Sequence, residues 1–312
     1  MSHIQRTERI KIPSVLVLIA AYNGMRWLPE QVESILNQES VRVRLTISVD
    51  ISVDGTEKWV DEFALSDDRV TVLPHGMRFG GAAPNFFRLL READLSDVDF
   101  VSLADQDDIW LPNKLSRAVN VLDNTKMDAY SSDVIAFWPD GRQSRVRKSQ
   151  AQVEWDFLFE AAGPGCTYVM RIALAKNLQI FLRHQAERAN QIGLHDWFIY
   201  AYARTHQYHW IIDDQALILY RQHEHNQVGV NQGIAGFLHR YRKVLNGWAI
   251  NQAILIADLI GVKNTAFVQT HLNKSRMGFL RLAFCARQCR RRLRDQFVFV
   301  LMCLLLAIKG ST

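Results

Sequence analysis

The chain has 312 residues, 48% hydrophobic and 22% charged, a globular balance that excludes widespread disorder and leaves room for one large α/β domain or two smaller ones. The formal net charge is +5, but from Lys274 onward Arg276, Arg281, Arg287, Arg290, Arg291, Arg292, Arg294 and Lys309 stand against the single acid Asp295, so the basicity belongs to a tail. A nucleic-acid partner would need basic groups spread over the folded surface with aromatic platforms among them, so nucleic acid is not an expected partner.

Val15–Ala21 (VLVLIAA) is a continuous apolar run rich in β-branched residues, as in a strand buried on both faces of a parallel sheet. Tyr22-Asn23-Gly24 ends it. Leu28–Leu36 then reads at helical spacing, with Pro29 where a helix start tolerates it. The repeat ISVDISVD at 47–54 raises a conflict. Taken as one strand it puts four polar groups on one face, whereas the surrounding pattern asks for a short buried strand. The expectation is a strand Arg44–Asp50, a turn, and a capping-box-like start at Asp54-Gly55-Thr56-Glu57 for a helix carrying Trp59, Val60 and Phe63. Val70–Leu73 is a short third strand, Asn85–Ala93 a helix and Asp99–Ala104 a fourth strand. Strands alternating with helices in this way predict an α/β fold with a mostly parallel sheet, whose ligands collect beyond the carboxyl ends of the strands.

The second half is more mixed. Ala129–Trp138 reads as a strand before the turn Pro139-Asp140-Gly141, and Thr167–Met170 as a short strand after Gly163-Pro164-Gly165. Asp196–Arg204 is an aromatic-rich helix, His209–Arg221 holds one or two strands, and everything beyond Phe237 reads as helical. Cys166, Cys285, Cys289 and Cys303 include no Cys-x-x-Cys pair, and Met1–Lys11 is polar rather than a secretory leader, so a reducing cytoplasm without disulfides is expected.

After the fourth strand come Asp105, Asp107 and Asp108 around Gln106. Three carboxylates in four residues repel one another unless a cation is present. Mg²⁺ and Mn²⁺ take hard oxygen ligands, often one or two carboxylates together with substrate phosphates. The alternative is a solvated acidic turn capping the helix near Pro112; the apolar strand before it and Ile109-Trp110 after it weigh against an exposed turn.

Leu103–Trp110 followed by Pro112-Asn113-Lys114-Leu115 resembles the DxD region of family 2 glycosyltransferases, which have the GT-A fold. Other landmarks appear in the family's order: Ala20–Gly24 resembles the first-strand motif that meets the nucleotide, and Ser48–Thr56 the second-strand motif. Gly165-Cys166-Thr167 is similar to the segment lining the acceptor side, Leu194–Trp197 to the segment supplying the base, and Leu219–His223 to a motif of bacterial rhamnosyltransferase-like members. The resemblance spans residues 14 to 229.

The resemblance implies an inverting, metal-dependent transferase moving a hexose or deoxyhexose, rhamnose from dTDP-rhamnose first, from a nucleotide-sugar donor. The acceptor would be a saccharide or lipid-linked glycan at the inner face of a bacterial membrane. Ala21, Tyr22, Asn23, Asp50 and Gln106 would meet the nucleotide-sugar, with Asp105 and Asp107 framing a Mn²⁺ or Mg²⁺ ion and Asp107 the more direct ligand. Asp196 would be the general base; the competing role is a helix N-cap, since a helix comes directly after it. His223 is either a third metal ligand or a loop histidine in a polar run. Arg221 would contact diphosphate or acceptor, Gly165, Cys166 and Trp110 would stand on the acceptor side, and His195 would be a positioning or surface residue. Arg78, beside Phe79-Gly80-Gly81, would touch the diphosphate. Val49 stands where the family usually has an acid, so base recognition would rest on Asp50 or on backbone groups.

A GxGxxG loop and a Walker loop are both absent from the sequence, which disfavours dehydrogenases and P-loop kinases. The alternatives are a nucleotidyltransferase, which would carry a basic glycine-rich signature after the first strand, and a non-catalytic glycan- or membrane-binding relative. The expected organisation is a GT-A domain over 12–232, its nucleotide-sugar half at 12–128 and its acceptor half at 129–232, then a helical extension over 233–312. Within that extension Phe297–Ile308 (FVFVLMCLLLAI) has twelve apolar residues, short of the ~20 a spanning helix needs. It reads either as a buried terminal helix or as an interfacial anchor behind its arginines.

Overall fold

The computed structural model describes residues 11–223 and 247–310. Its first strand, β1 (Ser14–Ala21), sends Val15, Val17, Ile19 and Ala21 to one face and Leu16 and Leu18 to the other, none more than 1% exposed. A central strand covered on both sides has to be apolar at every position. After it come α1 (Leu28–Leu36), β2 (Arg42–Val49), α2 (Thr56–Ser66), β3 (Val70–Val72), α3 (Ala82–Glu92) and β4 (Phe100–Ala104). Next are β5 (Ile109–Trp110), α4 (Lys114–Thr125), β6 (Ala129–Ser132), β7 (Val134–Phe137), β8 (Gln143–Val146) and β9 (Val169–Arg171). The remainder is α5 (Ile172–His184), α6 (Ala186–Ala189), α7 (His195–Thr205), β10 (Trp210–Asp213), β11 (Ile218–Arg221), α8 (Trp248–Leu259), α9 (Ala266–His271), α10 (Arg276–Phe284), α11 (Ala286–Cys289) and α12 (Leu293–Lys309).

The main sheet runs β10-β6-β9-β4-β1-β2-β3. All neighbours are parallel except β9, which is antiparallel to β4 and β6. One face is covered by Leu28, Val32 and Ile35 of α1, Val60 of α2 and Leu115 and Leu122 of α4. The other is covered by α3, α5 and α7 through Phe86, Leu174 and Phe198, and the same apolar cluster takes in Ile256, Leu282 and Phe299 of the C-terminal helices. The boundary expected near residues 232–233 lies outside the described residues, as does the predicted helical stretch before residue 247.

The repeat resolves as expected into two conformations. β2 ends at Val49, and the Asp50 N–H donates to the Ala21 carbonyl at 2.8 Å, so the first half is strand and the second a turn. The expected capping box does not form. Gly55, at φ +92°, stands at the N-cap of α2 and no side chain caps it. Asp54 instead accepts from Thr56 N–H, Thr56 Oγ1 at 2.6 Å and Met25 N–H at 3.0 Å, stitching the helix start to the loop after β1.

One expected strand divides. Ala129–Trp138 breaks at Asp133, fully buried, whose carboxylate accepts from the Lys148 and Ser149 N–H groups at 2.6 and 2.9 Å and from Arg145. That turn sends β6 into the main sheet and β7 into a second one, ordered β5-β11-β7-β8. His209–Arg221 holds two strands, within the one or two expected: β10 and β11, one in each sheet. The strand expected at Thr167–Met170 begins later, at Val169, because Gly165–Thr167 closes a 3-10 turn first.

Candidate active site

The register of the parallel strands lines up their carboxyl ends: Ala21 of β1 sits opposite Val49 of β2, and Ile19 opposite Ala104 of β4. The loops leaving those three strands therefore converge at one edge of the sheet. Tyr22 and Gln106 bond both ways, Tyr22 N–H to Gln106 Oε1 at 2.8 Å and Gln106 Nε2 to the Tyr22 carbonyl at 2.9 Å. Asn23, in the left-handed region at φ 45°, exchanges bonds with the turn after β2. Its N–H donates to Ser52 Oγ and its Oδ1 accepts from Val53 N–H at 2.9 Å. Asparagine tolerates that backbone better than most residues. The Asp50 carboxylate accepts from Phe79 and Gly80 N–H at 3.1 and 2.9 Å, which fixes the loop carrying Arg78 against the cleft.

The acidic loop is shaped by the second sheet. In the antiparallel pair β5–β11, Leu219 faces Ile109, so two residues further along Arg221 reaches the aspartates. Its N–H donates to Asp108 Oδ1 at 3.1 Å and its Nε to the Asp107 carbonyl at 2.8 Å. Two residues later His223 Nε2 lies 2.7 Å from Asp107 Oδ2, with its ring stacked on Trp27. Arg221 thus braces the loop from behind, also pairing with Glu30.

Asp105, Asp108 and Cys166 form a tighter group, with ligand atoms within 4.8 Å of one another. Burial, then the neighbouring Asp107 and Asp196 charges, push Asp105 up to about 7. Asp108 is raised well above the usual carboxylate range, by burial first and then by the Asp107 and Asp105 charges. Burial also drives the Cys166 thiol well above its ordinary range. It is therefore a neutral thiol rather than a thiolate ligand. Beneath them Lys114, 1% exposed, donates to Ser102 Oγ at 2.8 Å and lies over the Trp110 ring. Burial lowers its ammonium to about 7, against the opposing pull of Cys166 and Asp108. Sequence reasoning missed Lys114 because nothing local marks a lysine as buried. Trp110, placed on the acceptor side from sequence, is instead 2% exposed within the core.

The opposite wall comes from α7 and the turn at Gly165. Asp196 lies within the first turn of α7, whose N-cap is Leu194, so the N-cap role weighed for it is filled by another residue. Asp196 Oδ1 accepts from Trp197 N–H at 2.7 Å. Burial pushes its carboxyl up to about 6, against the pull of that N–H and of Lys148. His195 is not at the surface: it is 8% exposed, stacked on Phe86 with ring centres 3.9 Å apart, and burial lowers it to about 3. Its Nε2 is buried and without a partner.

These walls enclose a cleft of about 1310 Å³, above the usual range for a single small ligand. Ala21, Tyr22, Asn23, Asp50, Arg78, Asp105, Gln106, Asp107, Gly165, His195, Asp196 and His223 line it. Cys166 and Arg221 stand behind it. Trp27, Lys148, Trp248 and Arg290 also line it; they come from scattered segments with no motif to announce them. The carboxylate and imidazole of Asp107 and His223, already paired at the cleft wall, make a donor set that fits a divalent cation, Mn²⁺ suiting an imidazole ligand better than Mg²⁺.

The family model for glycosyl transferase family 2 matches residues 16–176. Over 288 residues, 92% of this chain and 99% of the relative, the sequence is 40% identical to dTDP-rhamnosyl transferase RfbG of Shigella flexneri. It is 28% identical, over 35% of this chain and 40% of the relative, to UDP-Glc:alpha-D-GlcNAc-diphosphoundecaprenol beta-1,3-glucosyltransferase WfgD of Escherichia coli. Among solved structures the fold is similar to S. aureus TarS with UDP, at a TM-score of 0.54 and 14% identity over 94% of this chain and 88% of that one. It is also similar to the mannosyltransferase PcManGT from Pyrobaculum calidifontis with GDP-Man and Mn²⁺, at 0.51 and 16% over 96% and 87%.

Proposed function

The chain belongs to glycosyl transferase family 2, a nucleotide-sugar glycosyltransferase of polysaccharide synthesis, and from that premise we propose an inverting, divalent-metal-dependent rhamnosyltransferase that uses dTDP-rhamnose. The nucleotidyltransferase alternative falls with the family assignment. The donor reading is supported by the relative that is 40% identical over almost its whole length. The acceptor reading, a lipid-linked glycan at the cytoplasmic face of a membrane, is supported by the diphosphoundecaprenol in the name of a second relative. One observation carries the mechanism: Asp196, with its carboxyl near 6, shares a single cleft with the Asp107–His223 pair and with Asp50.

Tyr22, Asn23 and Asp50 hold the nucleotide at the ends of β1 and β2, and Arg78 meets the diphosphate from its loop. Asp107 and His223 would hold a divalent cation, which supplies Lewis-acid stabilisation of the departing nucleoside diphosphate. Arg221, bonded to Asp108 and to the Asp107 carbonyl, keeps Asp107 in place. Across the cleft Trp197 N–H engages Asp196 Oδ1, so Oδ2 is the oxygen that takes the acceptor hydroxyl's proton as that oxygen attacks the anomeric carbon. Attack from the side opposite the leaving diphosphate inverts the anomeric centre. His195, neutral, offers Nε2 to an acceptor hydroxyl.

The test is nucleotide release from a panel of dTDP-, UDP- and GDP-sugars with Mn²⁺, with Mg²⁺ and with chelator. The expected result is dTDP release from dTDP-rhamnose above all others and its loss in chelator. Preference for another donor overturns the sugar assignment, and full release in chelator overturns the metal requirement.

A further inference from the structure

Among the described residues no helix is long and apolar enough to cross a membrane, yet α12 is apolar on two opposite faces. Phe299, Cys303, Leu306 and Ala307 face the core. At 100° per residue, Leu293, Phe297, Leu301, Leu304 and Ile308 fall within a stripe on the other side, with Val298 at its edge. All six are exposed, Leu293, Phe297 and Ile308 at 78%, 66% and 77%. A surface helix that turns leucine and phenylalanine outward over four turns marks an interaction surface.

Charge selects the occupant. The arginine cluster before α12 is not all alike. Arg291 is buried against Asp156 and Glu160, and Arg290 reaches the Phe159 carbonyl, so these two serve the fold. Arg281, Arg287, Arg292 and Arg294 are exposed, and Arg294 falls on the apolar stripe itself at its N-terminal end. From residue 274 onward the one acid is Asp295, which lies off the stripe. An apolar helix face bordered by arginines and free of acids matches an anionic bilayer surface, where the side chains enter the acyl boundary and the guanidiniums meet phosphates.

We propose that α12 docks the enzyme on an anionic lipid surface through Leu293, Phe297, Leu301, Leu304 and Ile308, with Arg292 and Arg294 on the headgroups. The geometry ties this face to the site. Phe299, on the buried side of α12, packs edge-on against Phe159 with ring centres 5.0 Å apart, and Phe159 and Arg290 both line the cleft. Docking therefore holds the acceptor end of the cleft near the membrane, where a lipid-linked acceptor would present itself. The proposal rests on the exposed face and its charge, independently of the donor and base assignments.

The test is flotation of the full-length protein with phosphatidylcholine vesicles and with vesicles containing phosphatidylglycerol. Wild type should float with the anionic vesicles and be partly released by high salt. Phe297→Ser/Leu301→Ser/Ile308→Ser should lower that partition at least tenfold, while its thermal melt and its nucleotide release from donor stay as in wild type. Arg292→Glu/Arg294→Glu should weaken binding to anionic vesicles selectively. Wild type left in the soluble fraction, or a triple variant that floats equally well, overturns the proposal. So does a dimer in sedimentation that the triple substitution dissolves without any vesicle binding, since a second copy would then be the occupant.

Discussion

Gly165→Ala tests whether the acceptor wall is held as tightly as its geometry implies. A Cβ at this buried position would collide with His195 Nε2, and it would stand 3.2 Å from Cε1 and 3.4 Å from Asp196 Cβ. His195 cannot retreat, because its ring already lies on the fully buried Phe86 at 3.9 Å. Relief has to come from the start of α7, which carries Asp196. Overpacking of this kind costs about 1–3 kcal/mol, a fall in Tm of several degrees. Moving a reacting group by ~1 Å costs ~10²-fold in turnover. The assay is kcat and donor KM from nucleotide release, beside a thermal melt. The expected result is kcat lowered ~10²-fold with donor KM within about twofold, because the donor wall is built from β1, β2 and β4. A variant with wild-type kcat, or one that loses activity only through donor KM, refutes the reasoning.

Arg291→Ala should destabilise the fold by ~1–3 kcal/mol in urea melts, because the Glu160 carboxylate and the Ala161 carbonyl lose its buried guanidinium while Asp156 keeps Arg204 and Tyr200; no measurable loss contradicts that role. The pH profile of kcat should bend near 6. Burial keeps the proton on Asp196 up to about that pH, and only the carboxylate can accept one, so activity falls about tenfold per unit below it and is level above. A profile flat down to pH 5 would rule Asp196 out as the base. Mn²⁺ in large excess over its Kd should stabilise wild type by roughly 2–3 kcal/mol, read as a rise in Tm, and should leave Asp107→Ala unmoved. An equal rise in both would place the ion elsewhere.

The part of the fold that was legible in sequence is the part that local pattern determines. β1 and β4 are apolar at almost every position because both faces are covered, and the carboxylates after them mark where the parallel strands stop. The division of Ala129–Trp138 was not legible, since the break at Asp133 depends on N–H groups 15 and 16 residues further on. The pairing of β5 with β11 spans more than a hundred residues, and it helps bring His223 to Asp107 and cover Trp110. Lys114 and Arg291 carry charges that composition assigns to the surface, and only the packing around them shows otherwise. Asp196 stood out by family resemblance; its burial and its place inside the helix rather than at the N-cap are facts of the tertiary structure.

The central claim is that Asp196 removes the acceptor proton without holding the donor, and Asp196→Asn with donor and acceptor both present tests it most directly. The account predicts that kcat falls at least ~10³-fold, while dTDP-rhamnose binding by calorimetry and the Tm stay close to wild type. Turnover within tenfold of wild type, or loss of donor binding in step with loss of turnover, would contradict it.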